Sequence, residues 1–268
     1  MNYDFAYVAP ASRAELLRLL GNAEGCKLLA GGTDLVVEIR NALRKPAVVV
    51  DIKKIRDYRQ LAFSSKTGLV IGAAVTCADL LDSKLVGKRF PALTLTAAHL
   101  GSNQVRQRAT AVGNVCNASP CADVALALLA LDASVQIAST RGTRLEKLEN
   151  FFLGVKRTIL KADEIVERVI IPAAWADARS GFEKLKRIKG HDLSLVSACL
   201  VRKGKKLRVA VGSCAPTPVV FAFAANTPAK TVVRTVLRKI SPIDDVRCSR
   251  EYRLFMLEQY LTNLVESV

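Results

Sequence analysis

Two short glycine-bearing stretches, Ala30-Gly31-Gly32-Thr33-Asp34 and Thr110-Ala111-Val112-Gly113-Asn114, hold the residue types from which an anion site is built. Glycine lets the main chain turn sharply and approach a ligand closely, because no Cβ stands in the way. The N–H groups of a following helix start, or of nested turns, then offer donors to an anion. One such stretch is as often a plain turn. Two of them, each after an extended segment and each before an apolar helical run, point to one ligand with two phosphates. Asp123 is the only early charge in the run from Ala122 to Ala133. Its carboxylate either complements the helix dipole or is a buried acceptor for ligand hydroxyls, and its place just after the second glycine stretch favours the acceptor.

Other chemistry finds less support. No Ser/His/Asp set or paired-carboxylate signature stands in a convincing context. His191 and Asp192 are neighbours, but an alternating strand would send them to opposite faces. The seven cysteines (Cys26, Cys77, Cys116, Cys121, Cys199, Cys214, Cys248) include no C-x-x-C pair, and most sit beside Ala, Val or Leu. They read as reduced, small buried hydrophobes, not as metal or iron–sulfur ligands, which need short repeated spacings. With only two histidines in the chain, no metal site is expected.

The elements that must position the glycine stretches follow from pattern. Ser12 and Glu15 form a capping box before Leu16, Leu17, Leu19 and Leu20, and Gly21 suits the stop. Lys27–Ala30 is a short strand into the first glycine stretch. A helix is expected next, with Leu35, Val36, Ile39 and Leu43 on one face and Pro46 as its end. Ala47–Val50 reads as a buried parallel strand. Further on come a strand at 69–73, a helix capped by Thr76 with Asp79, and a helix from Pro91 to about His99. Ser119 is an N-cap candidate with Pro120 at the first helical position, opening a helix buried on nearly all sides. Strands are expected at 134–139, 164–171, 192–201 and 207–214, with a linker at 173–180. The end is helical, at 231–240 and 249–265. A domain boundary falls near residue 176, with no internal repeat.

A chain of 268 residues that is 50% hydrophobic buries a real core. The start, Met1-Asn2-Tyr3-Asp4-Phe5, lacks the basic and apolar regions of a signal peptide, and no apolar run reaches membrane-spanning length. The expectation is a soluble, cytoplasmic protein without a membrane span. The formal charge of +16 invites nucleic acid. Yet the Lys and Arg residues are scattered and lack interleaved aromatic platforms, so no nucleic acid is expected. An acidic partner subunit or an anionic ligand accounts for the charge.

At this point the residues resemble a known family. Lys27-Leu28-Leu29-Ala30-Gly31-Gly32-Thr33-Asp34-Leu35 resembles the first flavin loop of the molybdenum hydroxylases, as in the flavin subunits of xanthine dehydrogenase and carbon monoxide dehydrogenase. Thr110–Asn114, with Asn117-Ala118-Ser119-Pro120 and Asp123, is similar to the second flavin loop and its helix. Phe182–Arg187 leading to His191-Asp192-Leu193, and Ser241–Arg247 with Tyr252-Arg253, resemble the family's C-terminal domain. The similarity spans nearly the whole chain.

The resemblance implies an α+β fold. An FAD-binding domain of the vanillyl-alcohol-oxidase type would occupy 1–176, in subdomains of about 1–54 and 55–176, with FAD extended between them. A small C-terminal domain of antiparallel sheet and helices would occupy 177–268. By position, Leu28, Leu29, Ala30, Gly31, Gly32, Thr33, Asp34 and Leu35, with Thr110, Ala111, Val112, Gly113 and Asn114, would hold the FAD pyrophosphate through backbone groups. Leu100 would lie near the flavin, Asp123 would accept from the ribityl chain, Val166 would pack by the adenine or the ring, and Lys184 would contact the cofactor. No side chain is assigned a catalytic role, because the isoalloxazine carries the chemistry.

One departure stands out: relatives show two adjacent glycines before the asparagine, where this chain has Val112. A β-branched residue resists positive φ. Either the backbone there is ordinary or FAD binds more weakly, with Arg106 and Arg108 nearby to compensate. The chain has no cysteine arrangement for two [2Fe–2S] clusters and no molybdopterin module. The resemblance therefore implies an oxidoreductase subunit. It would receive electrons from an iron–sulfur small subunit beside a molybdopterin-binding large subunit, and pass them through FAD to NAD, a quinone or another external acceptor. The alternatives are a stand-alone flavin oxidoreductase and a basic non-enzymatic binding protein.

Overall fold

The computed structural model describes residues 3–22 and 24–268. Met1 and Asn2, part of the signal-peptide reading, lie outside the described residues.

The first unit is a three-stranded parallel sheet. It comprises β1 (Ala6–Val8), α1 (Arg13–Asn22), β2 (Cys26–Leu29), α2 (Leu35–Arg40) and β3 (Val48–Asp51), in sheet order β1-β3-β2. The Val48-Val49-Val50 run makes the central strand, as expected of a parallel strand covered on both faces. Ser12 caps α1 by accepting from the Glu15 N–H at 3.2 Å, while the Glu15 carboxylate reaches back to the Ala11 N–H. Two boundaries differ from expectation. Helix α1 runs through Gly21 to Asn22. Helix α2 ends at Arg40, because the chain turns at Ala42 with φ 57°, which leaves Leu43 exposed.

The second unit surrounds a five-stranded antiparallel sheet. Its elements are β4 (Leu61–Ser64), β5 (Gly68–Gly72), α3 (Cys77–Asp82), α4 (Lys84–Arg89), α5 (Pro91–Ala98), α6 (Asn103–Arg106), α7 (Ala111–Cys116) and α8 (Asp123–Ala130). They are followed by β6 (Ser134–Ser139), β7 (Gly142–Lys147), β8 (Phe152–Gly154), β9 (Arg157–Thr158) and β10 (Ile165–Ile171). The sheet order is β4-β5-β10-β6-β7, and β8 pairs with β9 in a separate hairpin. Thr76 and Asp79 form the expected reciprocal capping box on α3. Helix α8 is buried along its whole length. It starts at Asp123, because Ser119–Ala122 closes a turn of its own before the helix begins.

A third unit is a four-stranded antiparallel sheet with two helices: β11 (Arg179–Leu185), β12 (Val196–Lys203), β13 (Lys206–Gly212), β14 (Val219–Ala224), α9 (Ala229–Leu237) and α10 (Arg250–Ser267). Both faces of this sheet are covered. Cys199, Val201 and Ala210 join the core around α8, and Ala198, Leu200, Val209 and Val211 join the core under α9 and α10. Residues 192–195 precede β12, so His191 and Asp192 sit in a turn and not on a strand. The stretch at 173–180 is no loose linker: a short 3₁₀ turn buries Trp175, and β11 starts at Arg179.

A bulge in β10 between Val166 and Arg168 ties the first two units together. Such a bulge re-aims side chains, and the buried Glu167 there accepts from Arg13 of the first unit, from Tyr58 and from Gln136.

Candidate functional site

A cleft of about 760 Å³, of a size suited to a cofactor, is walled by residues of all three units. Leu28, Ala30, Gly31, Gly32, Thr33, Asp34, Leu35, Leu100, Thr110, Val112, Gly113, Asn114, Asp123, Val166 and Lys184 all lie on its wall. Leu29 and Ala111 do not. Successive strand residues point to opposite faces, and Leu29 packs on the side away from the cleft, beneath Gly32. Ala111 is sealed in the core at the start of α7.

The first glycine stretch follows the carboxyl end of β2. Gly32 has φ +77°, a conformation that disfavours a side chain. Gly31 is required by proximity: a Cβ there would stand 2.1 Å from the Arg108 carbonyl oxygen. The two glycine-bearing segments are therefore in backbone contact. Among the described residues, none accepts a hydrogen bond from the backbone N–H groups of Gly31, Gly32, Thr33, Asp34 or Leu35. These residues are half-buried or exposed on the cleft wall, and the first N–H groups of a helix have no partner within it, so the row is open to an anion. Lys53 braces it from beneath, donating to the Ala30 carbonyl at 3.1 Å and pairing with Asp51 at 2.7 Å. Against burial, which pushes it up, the Lys53 ammonium and the Tyr7 hydroxyl hold the Asp51 carboxyl below its usual range.

The second stretch is the first turn of helix α7. The Thr110 hydroxyl caps it, accepting from the Gly113 N–H at 2.9 Å, and the Ala111 N–H donates to the Val75 carbonyl. The Val112 N–H is left with no acceptor among the described residues. Val112 itself is buried in ordinary helical backbone and is absent from the positive-φ residues. Its β-branch therefore meets no backbone strain. Arg106 is not held in reserve for an anion: its guanidinium donates to the carbonyls of Ala98, Leu100 and Gly101. It thereby fixes the turn that presents Leu100 to the cleft. Asn114 accepts from the Ala125 N–H at 3.0 Å, locking α7 to α8.

At the start of α8, Asp123 Oδ2 accepts from Lys184 Nζ at 2.7 Å, and that ammonium also donates to the His99 carbonyl. Both side chains are almost fully buried. Burial pushes the Asp123 carboxyl up, against the Lys184 ammonium that draws it down. The other carboxylate oxygen, Oδ1, is buried on the cleft wall with no hydrogen-bond partner. An orphaned buried acceptor is costly, and a ligand hydroxyl is what would satisfy it.

Glu38, Arg44, Lys156 and Lys161 also line the wall without any signal in the sequence, and Lys27 and the turn His191-Asp192-Leu193, which stand in the family-like runs, join them as site residues not assigned from the sequence. They arrive by long-range folding. Lys156 is brought there by the Val155-Lys156 turn that joins β8 to β9. All seven cysteines are free thiols. No described group of three or more His, Cys, Asp or Glu could hold a metal ion, and no described helix is long and apolar enough to cross a membrane.

An α+β architecture with an unpaired amide row, a second helix start and a buried carboxylate acceptor around one cleft fits a protein that holds a diphosphate cofactor. Residues 3–174 match the family described as the FAD binding domain in molybdopterin dehydrogenase, and the chain belongs to that family. It is similar to the nicotinate dehydrogenase FAD-subunit of Eubacterium barkeri, at 36% identity covering 75% of this chain and 69% of that protein. It is also similar to the carbon monoxide dehydrogenase medium chain of Hydrogenophaga pseudoflava, at 32% identity covering 80% of this chain and 76% of that protein. Among solved structures, quinoline 2-oxidoreductase from Pseudomonas putida 86 superposes with a TM-score of 0.89 at 26% identity, covering 100% of this chain and 98% of that one. The family that the chain resembles, and the α+β fold class that the resemblance implies, are thus those found.

Proposed function

We propose that this chain is the FAD-binding subunit of a multi-subunit molybdenum hydroxylase. In this reading it takes electrons from an iron–sulfur partner, beside a molybdopterin-binding large subunit, and passes them to an external acceptor such as NAD or a quinone, in a cytoplasmic complex. Residues 1–176 form the FAD-binding domain, in subdomains of about 1–54 and 55–176, and 177–268 form the C-terminal domain. The observation that carries the reading is the pairing of two unmatched features on one cleft: the unpaired amides of Gly31–Leu35 and the orphaned Oδ1 of Asp123.

FAD, when bound, supplies the redox chemistry that links one-electron donors to two-electron acceptors. The residues of this chain bind and orient it. The Gly31–Leu35 amides and the Val112 amide take the pyrophosphate, helped by the α2 start. Asp123 Oδ1 accepts from a ribityl hydroxyl, and Lys184 fixes the other oxygen so that the acceptor points into the cleft. Leu100 and Val166 supply the apolar wall that excludes water. The names of the relatives, an FAD-subunit and a medium chain of dehydrogenases, support the assignment of the partners.

Co-expression with a molybdopterin-binding large subunit and an iron–sulfur small subunit from the same organism tests the reading. A complex with one FAD per copy of this chain is expected, with flavin reduction by the organic substrate requiring both partners. Substrate oxidation by the FAD-loaded chain alone would instead mark a stand-alone oxidoreductase.

A further inference from the structure

Two contacts join the first and second units across the cleft. One is the backbone contact of Gly31 with Arg108, which has no side chain to move. The other is made of side chains alone. Asn117, just past α7, donates from Nδ2 to Asp34 Oδ1 at 2.9 Å, and accepts at Oδ1 from Lys156 Nζ at 2.5 Å. The same ammonium stands 3.7 Å from both Asp34 Oδ1 and Glu38 Oε1 on the opposite wall. Glu38 is paired in turn with Arg44.

Lys156 sits at the tip of the β8–β9 hairpin with φ 57°, a conformation uncommon for a residue with a side chain. Its N–H donates to the carbonyl of Ala118, itself at φ 46°. Two strained turns are thus locked together where the Lys156 side chain crosses the cleft. Asp34, Glu38, Asn117 and Lys156 all line that cleft, at the end where the unpaired amides lie. These charges are partly exposed, so the bridge is weak enough to open and sensitive to salt.

We infer that Lys156, with Asn117, Asp34 and Glu38, is an ionic clasp that closes the cleft over a bound diphosphate cofactor and sets how fast it enters and leaves. This rests on the FAD reading above and extends it from binding to exchange. A clasp speeds both directions when broken, whereas a residue that simply attracts the phosphates changes release and affinity together. The acidic partner separates the two roles further. If Lys156 acted only on the diphosphate, removing the Asp34 carboxylate would slow release. If it acts as a clasp, that change hastens release.

The test is FAD association and dissociation on the full chain, followed by flavin fluorescence, for wild type, Lys156→Met, Lys156→Arg, Asp34→Asn and the Met/Asn double variant. Lys156→Met and Asp34→Asn should each raise both rates about five-fold. The double variant should add little more, because both break one linkage, and Lys156→Arg should stay near wild type. The wild-type release rate should rise with salt, with Lys156→Met nearly flat, and the flavin absorption spectrum should be unchanged in all. Equal rates in wild type and Lys156→Met, or slower release from Asp34→Asn, with FAD still bound, would overturn the clasp alone. A wild-type chain that takes up no FAD would overturn the cofactor reading with it.

Discussion

Replacing Gly31 by alanine adds one carbon at a place where the structure has no room for it. The new Cβ would lie 2.1 Å from the Arg108 carbonyl oxygen, 2.7 Å from its carbon and 2.9 Å from Ala109 Cα. All three are backbone atoms, so no rotamer change relieves the clash. Restoring ordinary separation from the nearest of them requires the two segments to part by about 1 Å, at a cost on the order of 1–3 kcal/mol typical of overpacking. The row of unpaired amides moves with Gly31, away from the α7 start. FAD affinity should therefore fall about 5- to 150-fold, and Tm should drop by several degrees. Flavin fluorescence titration and thermal unfolding read the two effects separately. Gly87→Ala is the control: a Cβ at Gly87, in α4, meets nothing within 4 Å. Alanine there should hold or raise Tm, since glycine inside a helix costs roughly 0.5–1 kcal/mol, and leave FAD affinity alone. Gly31→Ala with wild-type affinity would refute the claim that the contact between the two segments positions the anion cradle.

Other outcomes follow from the same geometry. Asp123→Asn leaves the Lys184 ammonium buried without its carboxylate, a loss of about 3–5 kcal/mol. Adding Lys184→Met should recover much of the stability but not FAD uptake, as measured by denaturant unfolding and titration together. Asp245 is held down to about 2, chiefly by its hydrogen bond with Arg247, although burial opposes the shift. In the unfolded chain an aspartate titrates near 3.9. The folded chain binds that proton more weakly, so the pairing contributes stability above about pH 4 and loses it as pH falls toward 2. Tm measured across that range should fall less steeply in Asp245→Asn than in wild type. Burial pushes the Cys77, Cys199 and Cys214 thiols up to about 12, so native protein at pH 8 should label there last. Cys26 and Cys121 line the cleft and Cys248 does not, so FAD should slow alkylation of the first two and leave Cys248 unchanged by mass-spectrometric mapping.

What the sequence made legible was local chemistry. The Thr76/Asp79 box, the Ser12 cap and the Val48–Val50 strand are decided within a few residues, and each is observed. Each glycine stretch alone reads equally as a turn and Asp123 equally as a dipole charge, but the fold brings both stretches and Asp123 onto one cleft. Elements whose form depends on distant neighbours were not. Thr110–Asn114 reads as a loop, yet the Thr110 cap and the α8 anchor at Ala125 make it helical. Strand β12 shows no alternation, because a helix layer covers each face of its sheet, and the strand pattern therefore misplaced its start. Arg106 and Lys156 are surface-type residues by composition. Only the fold reveals that one closes a helix end and the other spans the cleft.

Hydrogen–deuterium exchange with and without FAD reads the glycine-stretch amides one by one. The amides of Gly31–Leu35 and Val112, which have no acceptor among the described residues, should exchange fast in the free chain and slow markedly once FAD is added, with helices α9 and α10 unchanged. Stoichiometric FAD binding that leaves those amides exchanging as before would place the cofactor elsewhere on the chain.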